Sequence, residues 1–122
     1  MSILPKSLIV LVCGGRDNEN IELIYSVLDE LHANFSIIKL IHGAARGVDR
    51  IAGNWAAERG VPCISHPANW LKYGRSAGLR RNQEMLDNHD VDLVVAFKGG
   101  RGTAHMVGLA KKHLIQVAEP EK

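Results

Sequence analysis

Two glycine-rich turns hold the chemistry this chain can offer: Cys13-Gly14-Gly15-Arg16-Asp17 and Lys98-Gly99-Gly100-Arg101-Gly102-Thr103. Each follows an apolar, β-prone run, residues 8–12 and 93–97, and each precedes a helical pattern. Backbone without Cβ atoms at a helix N-terminus, with free N–H groups, makes an anion cradle. Arg16 and Arg101 add guanidinium groups, which pair with phosphate as a fork. Thr103 is placed to cap the following helix or to donate its hydroxyl. Two such turns in one small chain point to a site for a phosphorylated ligand, with a nucleotide the natural candidate. The second turn is neither a Walker A loop nor a Gly-x-Gly-x-x-Gly fingerprint. A tight turn with no ligand is its plainer reading.

Three further segments are candidates. In His42-Gly43-Ala44-Ala45-Arg46-Gly47-Val48-Asp49-Arg50, small residues such as Gly43 allow close approach. There Asp49, near a helix start, is able to accept hydrogen bonds from ribose hydroxyls. It is equally suited to complement the helix dipole or to pair with Arg50. His42 reads more readily as a satisfied loop histidine than as an acid or base. Arg81 and Met85 share one helix face at i and i+4, so Arg81 lies in line with a buried anchor and within reach of a ligand phosphate. Asn82 follows it as a further candidate. Trp70 and Tyr73 are able to stack on a base, although packing a loop down is the commoner use of such aromatics.

These residues need a scaffold that brings them together. Strand-like runs alternate with helical patterns throughout. After the first run, Ile21, Ile24, Tyr25, Leu28 and Leu31 recur at helical spacing through about residue 34. Residues 37–42 read as a second strand. Val48, Ile51, Ala52, Trp55 and Ala56 mark a helix ended by Gly60. Residues 61–66 read as a third strand, 68–75 as a loop, and 76–88 as a helix with Met85 and Leu86 facing inward. A strand at 93–97, a helix at 103–112 and a strand at 114–117 follow, and residues 119–122 form a polar tail expected to fray. Apolar strands alternating with helices mean a parallel sheet covered on both faces. Right-handed crossovers then predict an α/β, three-layer Rossmann-like fold with strand order 3-2-1-4-5. That order makes the first and fourth strands neighbours at the switch point, where such sheets bind ligands.

The 122 residues suit a single domain over 1–122, long enough for one core. An apolar fraction of 46% with 23% charged residues argues against disorder, and a net charge of +2 demands neither nucleic acid nor membrane. Seven of the eight arginines fall in turns after strands or in the first halves of helices, toward one pole. Cys13 and Cys63 lack metal-like spacing and are expected to be buried free thiols in a reducing, cytoplasmic setting. No metal ligands are picked out, and no cofactor beyond a nucleotide-derived ligand is required. The first twelve residues carry no secretory signature. No apolar run reaches membrane-spanning length. A homo-oligomer stays open.

The segments Gly14-Gly15-Arg16-Asp17, His42 to Asp49, Ala68-Asn69-Trp70, Gly74 to Asn82 and Gly99 to Ala104, in this order, resemble the YspA, cpYpsA-related branch of the SLOG superfamily. That superfamily also holds the DNA-processing protein DprA and the LOG phosphoribohydrolases. The resemblance covers roughly residues 10–117 and implies a Rossmann-like fold with a site for nucleotide-derived ligands. Where LOG hydrolases carry Pro-Gly-Gly-x-Gly-Thr-x-x-Glu, this chain has Lys98 for the proline and Met106 for the glutamate. Methionine neither hydrogen-bonds strongly nor shuttles a proton, so LOG-like phosphoribohydrolase activity is not implied, and no catalytic residue is assigned. The leading expectation is therefore binding, by sensing or sequestering, of ADP-ribose, NAD or a nucleoside monophosphate. Its rivals are hydrolysis of an N-glycosidic or phosphate bond in such a ligand and, by analogy with DprA, single-stranded DNA binding. The mixed charges do not favour the last.

Overall fold

The computed structural model describes residues 4–121. Five parallel strands form one sheet in the order β3-β2-β1-β4-β5: β1 Leu8–Cys13, β2 Ile37–His42, β3 Cys63–Ser65, β4 Leu93–Ala96 and β5 Gln116–Ala118. This is the predicted order, with β1 and β4 adjacent. Helices α1 Ile21–Phe35 and α2 Val48–Arg59 pack with one face, through a core that includes Val10, Val12, Ile24, Leu28 and Trp55. Helices α4 Ala77–Asn88 and α5 Arg101–Lys112 cover the other, through Leu11, Ile41, Met85, Val94 and Met106. Successive residues of β1, Val10 and Leu11, thus feed opposite cores, as the two-residue period of a strand requires.

Local chemistry sets the element ends. The Asn20 side chain caps α1 by accepting from the Leu23 N–H at 3.3 Å. Gly60 closes α2 in the left-handed conformation (φ 69°). Buried Trp55 places its indole N–H on Asp29 at 2.8 Å, and the same carboxylate pairs with Arg59 at 2.8 Å.

Four expectations need correction. The 68–75 segment is not a plain loop: it holds a one-turn helix, α3 Trp70–Tyr73, capped by Asn69, then a 3₁₀ turn over Gly74–Ser76. Strand β3 has three residues at the sheet edge, so Cys63 is exposed rather than buried. β5 begins two residues later than expected, because Leu114 turns out into solvent with φ 59°. The tail is tied down where described: Glu121 accepts from the Lys98 N–H at 2.7 Å and from Asn18 Nδ2 at 3.2 Å. Residue 122 lies outside the described residues, as do residues 1–3 of the segment read for a secretory signature. Among the described residues no helix is long and apolar enough to cross a membrane.

Candidate functional site

The β1–α1 and β4–α5 turns meet because their strands are neighbours. The Gly15 N–H donates to the Lys98 carbonyl at 2.9 Å. A Cβ on Gly99 would stand 2.6 Å from the Gly15 nitrogen and would also strike the Thr103 hydroxyl. No side chain fits between these two backbones. Gly14 is tight for a different reason, since a Cβ there would meet Val48 at 2.5 Å. A third turn nests beneath: Gly47, with φ 78°, lies against the Gly15 and Arg16 carbonyls. Gly15 and Gly99 therefore serve first to pack the two loops together, and Gly14 to seat the first loop on the start of α2.

Gly100 and Gly102 differ. A Cβ added to either would meet nothing within 4 Å, and neither has a positive φ. Both line a cavity of about 900 Å³ at the C-terminal edge of the sheet, with Gly100 as the uncapped N-cap of α5. The leading N–H groups of α5, at Arg101, Gly102 and Thr103, thus lack a side-chain cap at the wall of this cavity, where the helix dipole favours an anion.

Arg81 comes to the same cavity from α4. Its Nη1 donates to the Gly43 carbonyl and, at 3.5 Å, to that of His66; its Nε donates to Asn82 Oδ1 at 3.0 Å. A Cβ on Gly43 would fall 2.5 Å from Nη1, so the absence of a side chain there admits the guanidinium. Nη2 has no hydrogen bond among the described residues. Burial and the Arg16 charge lower the Arg81 pKa, while Asp49 opposes that shift. Buried Asn82 is a bracket: its Nδ2 donates to the Gly102 carbonyl at 3.2 Å and lies 3.1 Å from His105 Nδ1, so it ties Arg81 to the start of α5.

Asp49 stands 6% exposed on the first turn of α2. It accepts from the Ala45 N–H at 3.1 Å and is bonded by the Gly43 backbone, and Arg50 is not its partner. Burial, only partly offset by these donors and by Arg81, pushes its pKa up to about 6. His42 is satisfied, as expected: its Nδ1 accepts from the Ala44 N–H at 2.9 Å, and burial, Arg81 and His66 hold its pKa down.

All thirteen candidate residues, from Gly14 to Thr103, line this one cavity. Their engagement differs. Asp17 is exposed on the rim and paired with Arg46 at 3.0 Å. Exposed Arg16 sits over the Trp70 ring, 5.5 Å from its centroid, and Arg101 is exposed at the start of α5. Asn18 and Glu121 are wall residues the sequence reading missed. Asn18 carries a local signal, the Asx turn in which its Oδ1 accepts from the Asn20 N–H at 3.1 Å. Glu121 has none, because it acts across 103 residues. Among the described residues no group of three or more His, Cys, Asp or Glu is placed to hold a metal ion.

An ionised carboxylate held this far from water costs stability in the unliganded protein. Asp49 binds its proton more tightly in the native state than in the unfolded chain, whose carboxyl titrates near 3.8. Its unfavourable effect therefore grows as pH rises from about 4 to about 6 and is complete above that. Asp49→Asn is expected to stabilise the protein by about 2–3 kcal/mol at pH 7.5 and by little at pH 4. Urea unfolding at the two pH values checks this; an equal gain at both would place the effect outside the carboxyl's ionisation.

Comparison with known proteins follows the same lines. The family model described as the YspA, cpYpsA-related SLOG family matches residues 8–73. The Gene 61 protein of Mycobacterium phage D29 is 37% identical over 116 residues, covering 88% of this chain and 92% of the relative. The crystal structure of the C-terminal domain of a hydrogenase from Pyrococcus furiosus superposes with a TM-score of 0.57 at 16% identity. It covers 98% of this chain and 95% of that domain, a likeness of fold.

Proposed function

Because this chain belongs to the YspA, cpYpsA-related SLOG family, whose membership suggests nucleotide-related binding or processing, we propose that its cavity binds a nucleotide-derived ligand and holds it without cleaving it. ADP-ribose, NAD and nucleoside monophosphates are the candidates. One observation carries the reading: an uncapped helix start, an arginine and a buried carboxylate line a single cavity of about 900 Å³. The phosphate lies on the α5 turn at Gly100, Gly102 and Thr103, with Arg81 Nη2 and Arg101 neutralising it. Asp49 accepts from the ribose hydroxyls, for which an ionised carboxylate is suited at neutral pH.

Binding without LOG-type hydrolysis is supported by Met106. It is fully buried in the α4–α5 core and is not a wall residue of the cavity. A side chain there neither touches the ligand nor activates water. A thermal-shift screen over ADP-ribose, NAD and nucleoside monophosphates tests the reading. A ligand present at about 100 times its Kd adds about 2.7 kcal/mol and raises Tm by roughly 8–15 °C. Absence of a shift across the whole panel at millimolar concentration would refute it.

A further inference from the structure

The two tryptophans of this chain have opposite environments. Trp55 is fully buried with its indole N–H bonded to Asp29. Trp70 is 49% exposed, its indole N–H has no hydrogen bond among the described residues, and it lines the cavity. A large aromatic ring left half in water, with an unused donor, contributes little to the core and offers a flat surface to a ligand.

The ring is nonetheless held in place. Asn69 accepts from the Lys72 N–H at 3.0 Å and thereby fixes the single turn of α3 that carries Trp70. The edge of the indole rests on α4 at Gly78, where a Cβ would stand 3.4 Å from Cη2. Any larger side chain at 78 would push against the ring. Across the mouth, the Arg16 guanidinium lies 5.5 Å from the ring centroid, which shows that the ring presents a face to a cationic, planar group. Tyr73, the other aromatic of this segment, is not equivalent. It is flanked by Arg80 and Lys72 at 4.4 and 5.1 Å and is not a wall residue.

Resting on the ligand reading above, we infer that Trp70 is the stacking platform for the ligand's aromatic base and that the site selects nucleotides over base-free sugar phosphates. A phosphate on the α5 turn and a ribose at Asp49 leave the Trp70 side of the cavity, with Leu79 and Arg75, for the base. Stacking supplies affinity for any base, since each has a π-face. Discrimination therefore falls between ligands with and without a base more than among bases.

The test measures calorimetric affinities of wild type, Trp70→Leu and Trp70→Phe for AMP, GMP, CMP, UMP and ribose 5-phosphate. Wild type is expected to bind at least one nucleoside monophosphate about tenfold or more tightly than ribose 5-phosphate. Trp70→Leu should erase that preference and leave ribose 5-phosphate affinity unchanged, while Trp70→Phe retains most of it. The fluorescence that Trp70 adds above the Trp70→Leu background should be quenched by the nucleotide and not by the sugar phosphate. Equal affinity of wild type for ribose 5-phosphate and for the nucleotides overturns the inference and spares the phosphate site. Equal weakening of all ligands in Trp70→Leu also overturns it, by making the indole a structural prop. Failure of wild type to bind any of the five refutes the ligand reading itself and this inference with it.

Discussion

Met106→Glu is expected to lower stability by about 4 kcal/mol or more and to create no hydrolase. The substitution restores the residue that the LOG hydrolases carry at this place in their glycine motif, so sequence similarity alone recommends it as a gain of function. The structure argues otherwise. Met106 is 0% exposed among Leu11, Ile41, Met85 and Ala110, on the core-facing side of α5, and is not a wall residue of the cavity. A carboxylate there would stand among Leu11, Ile41, Met85 and Ala110, and desolvation would force it to protonate or force the helix to move. Met106→Leu, close in volume, should cost less than about 1.5 kcal/mol. Denaturant unfolding of both variants separates chemistry from size. A Met106→Glu protein as stable as wild type that released base from a nucleoside monophosphate would show that position 106 reaches the ligand.

The second large effect concerns Arg81. Arg81→Ala should weaken nucleotide binding by roughly 1.5–3 kcal/mol, the scale of a charge-assisted hydrogen bond, which is about 10- to 150-fold in Kd. Two of its nitrogens are already committed, Nη1 to the Gly43 carbonyl and Nε to Asn82, which aims the guanidinium and leaves Nη2 for the ligand. Arg81→Lys keeps the charge but loses the Nη1 and Nε bonds that aim it, so it should recover only part of the affinity. Gly43→Ala should also weaken binding, because the new methyl would displace Nη1. The control is Arg59→Ala, which breaks the ion pair with Asp29 near the end of α2 and should leave affinity unchanged. Equal losses from Arg81→Ala and Arg59→Ala would reduce Arg81 to general surface charge.

The sheet order follows from apolar strands alternating with helices and from the handedness of crossovers, and those rules alone bring Gly15 and Gly99 together. What residue type could not reveal is which glycine does what. Gly15 and Gly99 are packed against each other's loop and Gly14 against Val48 of α2, whereas Gly100 and Gly102 face open space, a distinction made by contacts distant in sequence. The bracket from Asn82 to Gly102 and the hold of Gly43 on Arg81 are hidden for the same reason. Helix α3 escaped because a single turn has no period to detect, and its Leu71 points into solvent. Cys63 looked buried because its strand is apolar, yet in a three-residue edge strand only Ile64 packs on the core and Cys63 is exposed.

Equilibrium dialysis of the wild-type protein against each member of the nucleotide panel, with chromatography of the ligand recovered from the protein side, separates a cavity that holds a nucleotide from one that cleaves it. At least one nucleotide is expected to be retained at no more than one equivalent per chain, to be recovered intact, and to be held about 10- to 150-fold more weakly by Arg81→Ala. Retention of none would contradict binding at this cavity. Free base released in excess of the protein, and abolished by Arg81→Ala, would contradict holding without cleavage and make the same cavity an active site.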